Sequence, residues 1–199
     1  MSADFNVDRM HTRLKGFFSA LEWNDALAAL EFAREKHGGQ LRKGGQPYIV
    51  HPYTMACHAL ALGIRIEAVA AAALLHDVCE DCGVEPGDLP VGREIQDAVR
   101  LLTHGKSQPM EDYYAGIARS PVAAIVKLLD RCDNVSTMAG VFAPTKIKDY
   151  VEETRTYVLP LIPIVKHAVP AFSDALFVLK YHVVSIIDAQ ERCLMAADA

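Results

Sequence analysis

Cysteine is scarce and irregular in this chain, with five residues at 57, 79, 82, 132 and 193, an odd number. That argues against a disulfide framework and makes a reducing cytoplasm the expected compartment. Positive charge is also short: 20 Lys and Arg stand against 25 Asp and Glu, a formal net charge of -5. The dense basic patch of a nucleic-acid-binding surface is therefore not expected, although a small anionic ligand needs only a few well-placed cations. Residues 1–7 lack the charged-then-apolar run of a signal peptide. The most apolar stretches, around 68–75 and 158–165, are too short to span a membrane or are broken by proline. Strand-like alternation, fixed-period repeats, low-complexity tracts and an interdomain linker are missing too. With 51% apolar and 23% charged residues over 199 positions, the expectation is one folded domain with a sizeable core.

What is present is helix. Asn24 reads as an N-cap for a run over 25–37, in which Leu27, Leu30, Ala33 and Arg34 follow helical spacing before Gly38 and Gly39 end it. Pro52 suits the first turn of a helix that Gly63 terminates. The run 66–78 is apolar on nearly all faces and reads as a central buried helix, followed by a Gly- and Pro-containing loop over 82–90. Further helices are predicted at 92–102, 109–118, 121–138, 144–159 and 172–194, with Pro160, Pro163 and Pro170 punctuating the chain between the last two. Short connections between them predict an all-α, compact helical bundle. The last helix, with Leu176, Leu179, Val183, Val184, Ile186 and Ile187, would pack on the core or on a second copy in a homodimer.

The residues that carry chemistry are His51, then His76 with Asp77, then Asp130. The pair at 76–77 closes an otherwise apolar helix, where polar groups cost roughly 1–3 kcal/mol each unless paired or bound to a metal. Glu80 lies four residues after His76 and Asp81 four after Asp77, so a continuing helix would put each pair on one face. Asp130 likewise ends an apolar run on a second helix. Two imidazoles and two carboxylates suit Mn²⁺ or Fe²⁺, with Zn²⁺ also compatible, and leave coordination positions for water and a phosphoryl oxygen.

The ordered set His51, His76-Asp77, Asp130 resembles the H…HD…D signature of the HD superfamily of metal-dependent phosphohydrolases. Three longer stretches narrow this: FAREKHGGQLRKGGQPYIVHP (32–52), AALLHDVCED (72–81) and VKLLDRCDNVST (126–137). They are similar to the hydrolase domain of RelA/SpoT-type alarmone enzymes, and a stand-alone small alarmone hydrolase is the arrangement a chain of this length resembles. The resemblance runs over about 28–160 and is loose in the C-terminal third, where EETRTYVLPL (152–161) carries it. It implies His51, His76, Asp77 and Asp130 as manganese ligands, and Glu80 and Asp81 as the groups that orient and deprotonate the attacking water. It also implies Arg42, Lys43, Asn134 and Thr137 as contacts to the nucleotide. The implied reaction removes pyrophosphate from the 3′ position of (p)ppGpp or (p)ppApp. Asp133 stands where this family often has His or Tyr, Gly44 where a polar residue is common, and 103–121 matches too poorly to carry any residue across.

Two other readings remain open at this point: another HD phosphohydrolase, acting on nucleoside monophosphates or cyclic nucleotides, and a catalytically silent nucleotide-binding module. The Arg42-Lys43 turn and Glu80-Asp81 favour the alarmone reading over both. His37, His58, His104, His167 and His182 are assigned no role. Cys79 and Cys82 spell C-x-x-C but lack the βαβ context or second ligand pair that a redox or zinc site needs, and read as packing residues.

Overall fold

The computed structural model describes residues 6–197. Among them the chain is all-α, with a lone bridge between Leu41 and Pro47 as the nearest approach to a strand. Helix α1 (Val7–Ala20) is started by Asn6, whose side chain accepts from the Arg9 N–H at 3.0 Å. It was not foreseen from sequence; its signal is the cap followed by His11, Leu14 and Phe18, all buried at helical spacing. Helix α2 (Asn24–Lys36) corrects the expected cap: Asn24 lies inside the helix and Trp23 holds the cap position without a side-chain bond. The free N–H groups of Asp25 and Ala26 are instead met by the Glu67 carboxylate, at 2.8 and 3.2 Å, from a helix some forty residues later.

Helix α3 (Val50–Ala61) carries Pro52 in its first turn and stops at Gly63, whose φ of +76° suits a residue without a Cβ. Helix α4 (Glu67–Leu75) is buried from Ala68 through Leu75 without interruption. It runs through the middle of the bundle, against α2 and α3 on one side and two later helices, α6 (Arg93–Leu102) and α8 (Pro121–Thr137), on the other. Its five alanines let these neighbours approach closely, and Val69, Leu74 and Leu75 fill the layers between them. The predicted helix over 66–78 is thus shorter than expected. Regular helix ends at Leu75, His76 and Asp77 form a turn with backbone still in the right-handed region, and α5 (Val78–Cys82) resumes the coil.

Ser120 caps α8 by accepting from the Ala123 N–H at 3.2 Å, with Pro121 at the first helical position. Helix α7 (Met110–Ile117) precedes it, and α9 (Pro144–Glu153) follows. The expected continuous helix to 159 is not regular. A wider turn over Thr154–Val158 is closed by a bond from the Leu159 N–H to the Thr154 carbonyl, five residues apart. The prolines read as punctuation then start a helix: Pro160 precedes α10 (Leu161–Ala168) and Pro163 sits in its first turn, where no helical N–H bond is lost.

The last helix, α11 (Ser173–Ala197), buries Leu176, Leu179, Val183 and Ile187 against the core and lies along α8. By length and composition, Pro170–Ala196 is apolar enough to cross a membrane, which the expectation from the stretches 68–75 and 158–165 did not cover; 28% of its apolar window is buried in the bundle. Phe177 and Tyr181, each 69% accessible, point away from the core.

Candidate metal centre and substrate cleft

Two helix ends and the middle of a third helix meet at one point. His51 comes from the first turn of α3, His76 and Asp77 from the break after α4, and Asp130 from the middle of α8. The donor atoms of His51, His76 and Asp77 all lie within 4.8 Å of one another. His51 Nε2 is 3.2 Å from His76 Nε2, and Asp77 Oδ2 is 2.9 Å from His76 Nε2 and 3.8 Å from His51 Nε2. Asp130 Oδ1 closes the set from the histidine side, at 3.3 Å from His51 Nε2 and 3.8 Å from His76 Nε2. His51 is 2% exposed, His76 5% and Asp130 6%. The four residues singled out by sequence therefore converge.

The surrounding hydrogen bonds fix which atoms face inward. His76 Nδ1 lies 3.0 Å from the Ala73 carbonyl and His51 Nδ1 lies 2.6 Å from Asp133 Oδ2. Both acceptors require Nδ1–H on the ring, which turns an Nε2 lone pair towards the centre. Two imidazole lone pairs and two carboxylate oxygens then face one another in a largely dry space, an arrangement that only a cation or an added proton can neutralise. Bonds of ~2.1 Å to one divalent ion would put neighbouring donors about 3.0–3.4 Å apart, close to the separations above. The donor set fits a divalent metal, and a mixed nitrogen and oxygen set does not choose between manganese, iron and zinc.

Without a metal, electrostatics compensates internally. Burial opposes a charged His51, but Asp130 and Asp133 outweigh it and raise its pKa to about 9. Burial pushes the Asp130 carboxyl up, yet the buried Lys127 ammonium and His51 hold it well below the usual carboxylate range. Asp77 is likewise held below that range against burial, chiefly by His76. Lys127 Nζ reaches Asp130 Oδ2 at 3.1 Å, and Asn134 Nδ2 donates to Asp130 Oδ1 at 2.5 Å. Tyr48 donates its hydroxyl to Asp77 Oδ2 at 2.5 Å; burial and that carboxylate raise its pKa, which keeps the proton on the donor. The Tyr48 ring stacks on His37 at 4.6 Å between centroids.

These groups form the floor of a cleft of ≈ 740 Å³. Glu80 and Asp81 lie on one wall, both exposed on α5; Glu80 Oε2 accepts from the His104 N–H at 3.3 Å, which ties the carboxylate to the loop before α7. The loop 41–47 also lines the cleft, a tight turn in which the Gly45 N–H bonds the Arg42 carbonyl at 2.8 Å with Gly45 at φ +81°. Arg42 does not extend into open solvent: its guanidinium donates to Asp133 Oδ2 and to Asn134 Oδ1, each at 2.7 Å. Lys43 and Lys146 both hold their ammonium groups 5.2 Å from the centre of the Phe142 ring at the mouth. Thr137 lines the cleft, but its hydroxyl donates back to the Asp133 carbonyl at 3.0 Å.

Tyr48, Lys127 and the inward-facing Asp133 carboxylate were not foreseen as parts of the site. Tyr48 and Lys127 each sit three residues before a proposed ligand, His51 and Asp130, and both fall inside the stretches 32–52 and 126–137 that carry the family resemblance. The segment 103–121, which matched no pattern, supplies wall residues Met110 and Tyr113 as well as His104. Cys79 and Cys82 are half-buried; burial pushes the Cys79 thiol up to about 11, and Cys82 Sγ lies 3.6 Å from the Gln40 side-chain amide. That is the environment of packing residues, not of an activated thiol.

Against known proteins, an HD domain family model matches residues 29–111. The chain is 38% identical over 143 residues to guanosine-3′,5′-bis(diphosphate) 3′-pyrophosphohydrolase of Aquifex aeolicus, covering 67% of this chain and 20% of that protein. It is 33% identical over 142 residues to the bifunctional (p)ppGpp synthase/hydrolase SpoT of Escherichia coli, covering 65% and 20%. The chain thus spans about a fifth of the length of the curated relatives it matches. Among solved structures, a metazoan ortholog of SpoT that hydrolyses ppGpp superposes with a TM-score of 0.67 at 22% identity, over 84% of this chain and 96% of that one. That likeness establishes the fold.

Proposed function

We propose that this HD-domain chain is a metal-dependent 3′-pyrophosphohydrolase of a nucleotide alarmone, (p)ppGpp or (p)ppApp, releasing pyrophosphate and a 5′-nucleotide. The observation that carries the reading is the convergence of His51, His76, Asp77 and Asp130 at the floor of a cleft that Glu80, Asp81, Arg42, Lys43 and Lys146 also line. A relative whose name describes this reaction is 38% identical to this chain over 143 residues. The four ligands would hold a divalent ion, manganese in this proposal, which supplies Lewis-acid polarisation of a phosphoryl oxygen and lowers the pKa of bound water.

Glu80 and Asp81 are exposed carboxylates on a short, anchored helix, suited to orienting a water and taking its proton as the water adds to phosphorus. The phosphorus–oxygen bond to the ribose 3′ oxygen breaks, and that oxygen takes up a proton. Lys127, fixed as an ammonium beside Asp130, and Lys43 and Lys146 at the mouth offset phosphate charge. Arg42 and Asn134 line the cleft and would contact ribose and base, and Thr137 would join them by rotating its hydroxyl away from the helix carbonyl.

The test is incubation with Mn²⁺ and a panel of ppGpp, pppGpp, pppApp, cyclic nucleotides and nucleoside monophosphates, with products separated by chromatography. Pyrophosphate released from a 3′-pyrophosphorylated nucleotide is the expected result and names the base. Orthophosphate from monophosphates, or opening of cyclic nucleotides, would keep the HD chemistry and overturn the substrate. No turnover would favour a binding module. His76→Ala or Asp77→Ala should lose bound metal and turnover together; full activity in either variant would sink the metal-hydrolase reading.

A further inference from the structure

One carboxylate oxygen serves two masters in this cleft. Asp133 Oδ2 is 2.6 Å from His51 Nδ1 and 2.7 Å from Arg42 Nη1, so the metal-facing histidine and the cleft-facing arginine share it. Asp133 is 9% exposed and the Arg42 side chain 17%, so water screens the contacts poorly. The second guanidinium nitrogen goes to Asn134 Oδ1, and Asn134 Nδ2 goes to Asp130 Oδ1, so the chain of bonds returns to a second metal-facing residue. From Arg42, the route to the centre is two hydrogen bonds long on either branch.

We infer that Asp133 is a positioning residue that links Arg42 to the metal centre: it holds His51 with Nε2 open towards the ion, and Arg42 competes with His51 for the same oxygen. When an anionic ligand draws Arg42 away, the whole acceptor strength of Oδ2 falls on His51 Nδ1–H. The imidazole becomes a better donor at Nε2, and the ion is held more tightly. Anion engagement and metal affinity are then coupled with positive sign, and by linkage the coupling is reciprocal. Outer hydrogen bonds of this type are worth about 10–100-fold in metal affinity. The inference rests on the site binding a divalent ion, not on which nucleotide is cut.

The test needs no substrate and reads metal binding directly. Metal-free full-length protein is titrated with Co²⁺, whose visible absorption reports both affinity and ligand geometry. Asp133→Asn, which keeps the side chain's shape, should weaken Co²⁺ binding by about 10–100-fold and change the spectrum. Arg42→Gln should tighten Co²⁺ binding by a few-fold, because it frees Oδ2 for His51, and unchanged binding would overturn the competition. In the double variant the Arg42→Gln effect should shrink to what the Asn134–Asp130 branch carries, since the shared oxygen of Asp133 is its main route. Wild-type affinity with an unchanged spectrum in Asp133→Asn would overturn the inference, and so would an Arg42→Gln effect that persists undiminished in the double variant, the signature of simple through-space charge. Should Asp133→Asn fail to fold, Arg42→Gln decides alone: weakened Co²⁺ binding there has the wrong sign and overturns the proposal. Failure of the wild type itself to bind Co²⁺ would instead overturn the metal reading on which both stand.

Discussion

Lys127 is a buried cation held against one of the proposed metal ligands. Its ammonium is buried against Asp130 and lies 5.4 Å from the centre of the Tyr113 ring, and the Asp130 field raises its pKa well above normal despite burial. Removing one partner of such a pair leaves the other charge buried and unpaired. Lys127→Met should therefore cost about 3–5 kcal/mol in the metal-free protein. Urea unfolding in the presence of a chelator measures this, and added metal should recover part of the loss, because the ion takes over the compensation of Asp130. Glu80 presents the opposite case, an exposed carboxylate whose single bond is to the His104 backbone. Glu80→Gln should keep its metal and lose about 10²–10⁴-fold in kcat. Loss of metal in that variant, read by elemental analysis, would show that the division between ligand and base is drawn in the wrong place.

Elements in this bundle are joined by side chains that reach from one helix to the end of another. Glu67, in the first turn of α4, meets the open N–H groups at the start of α2, a favourable place for negative charge. Glu67→Ala should destabilise by about 1–2 kcal/mol, as loss of a helix cap does, with little change in metal affinity because α2 supplies no ligand. Equilibrium unfolding compared with Co²⁺ titration separates the two effects. Arg131 ties α8 to α9 in the same manner. Its guanidinium pairs with Glu153, lies 4.4 Å from the Tyr150 ring centre and contacts the Tyr114 hydroxyl at 3.3 Å. Glu153 and Tyr150 both line the cleft, so this clamp also sets the position of its far wall.

For the whole molecule, pH dependence follows from groups buried in one protonation state. His37 is 2% exposed, and burial lowers its pKa below the usual 6.5, against the opposing bond to Gln40. The unfolded chain therefore takes up this proton first. Its contribution is complete above about pH 6.5 and is lost as pH falls from there through the lower folded value. Tm should decline over that range, and His37→Phe, which keeps a ring against Tyr48, should flatten the decline; an unchanged slope would assign the acid limb elsewhere. By itself the sequence determined the all-α class, the central apolar helix and the four residues that meet at its end. The first two rest on local periodicity and on glycine and proline at turns, and the four residues rest on polar groups closing apolar runs together with the ordered motif resemblance, all legible along the chain. It left α1 and α10 unread, the first because only His11, Leu14 and Phe18 mark its buried face after the Asn6 cap and the second because Pro160 and Pro163 serve equally to stop a helix and to begin one. Only the tertiary structure decided that Glu67 caps α2, that Asp133 faces His51 and Arg42, and that the unmatched stretch 103–121 forms a wall of the cleft. Each of those is a contact between residues far apart in the chain, fixed by how helices pack around α4 and not by the spacing within any one of them.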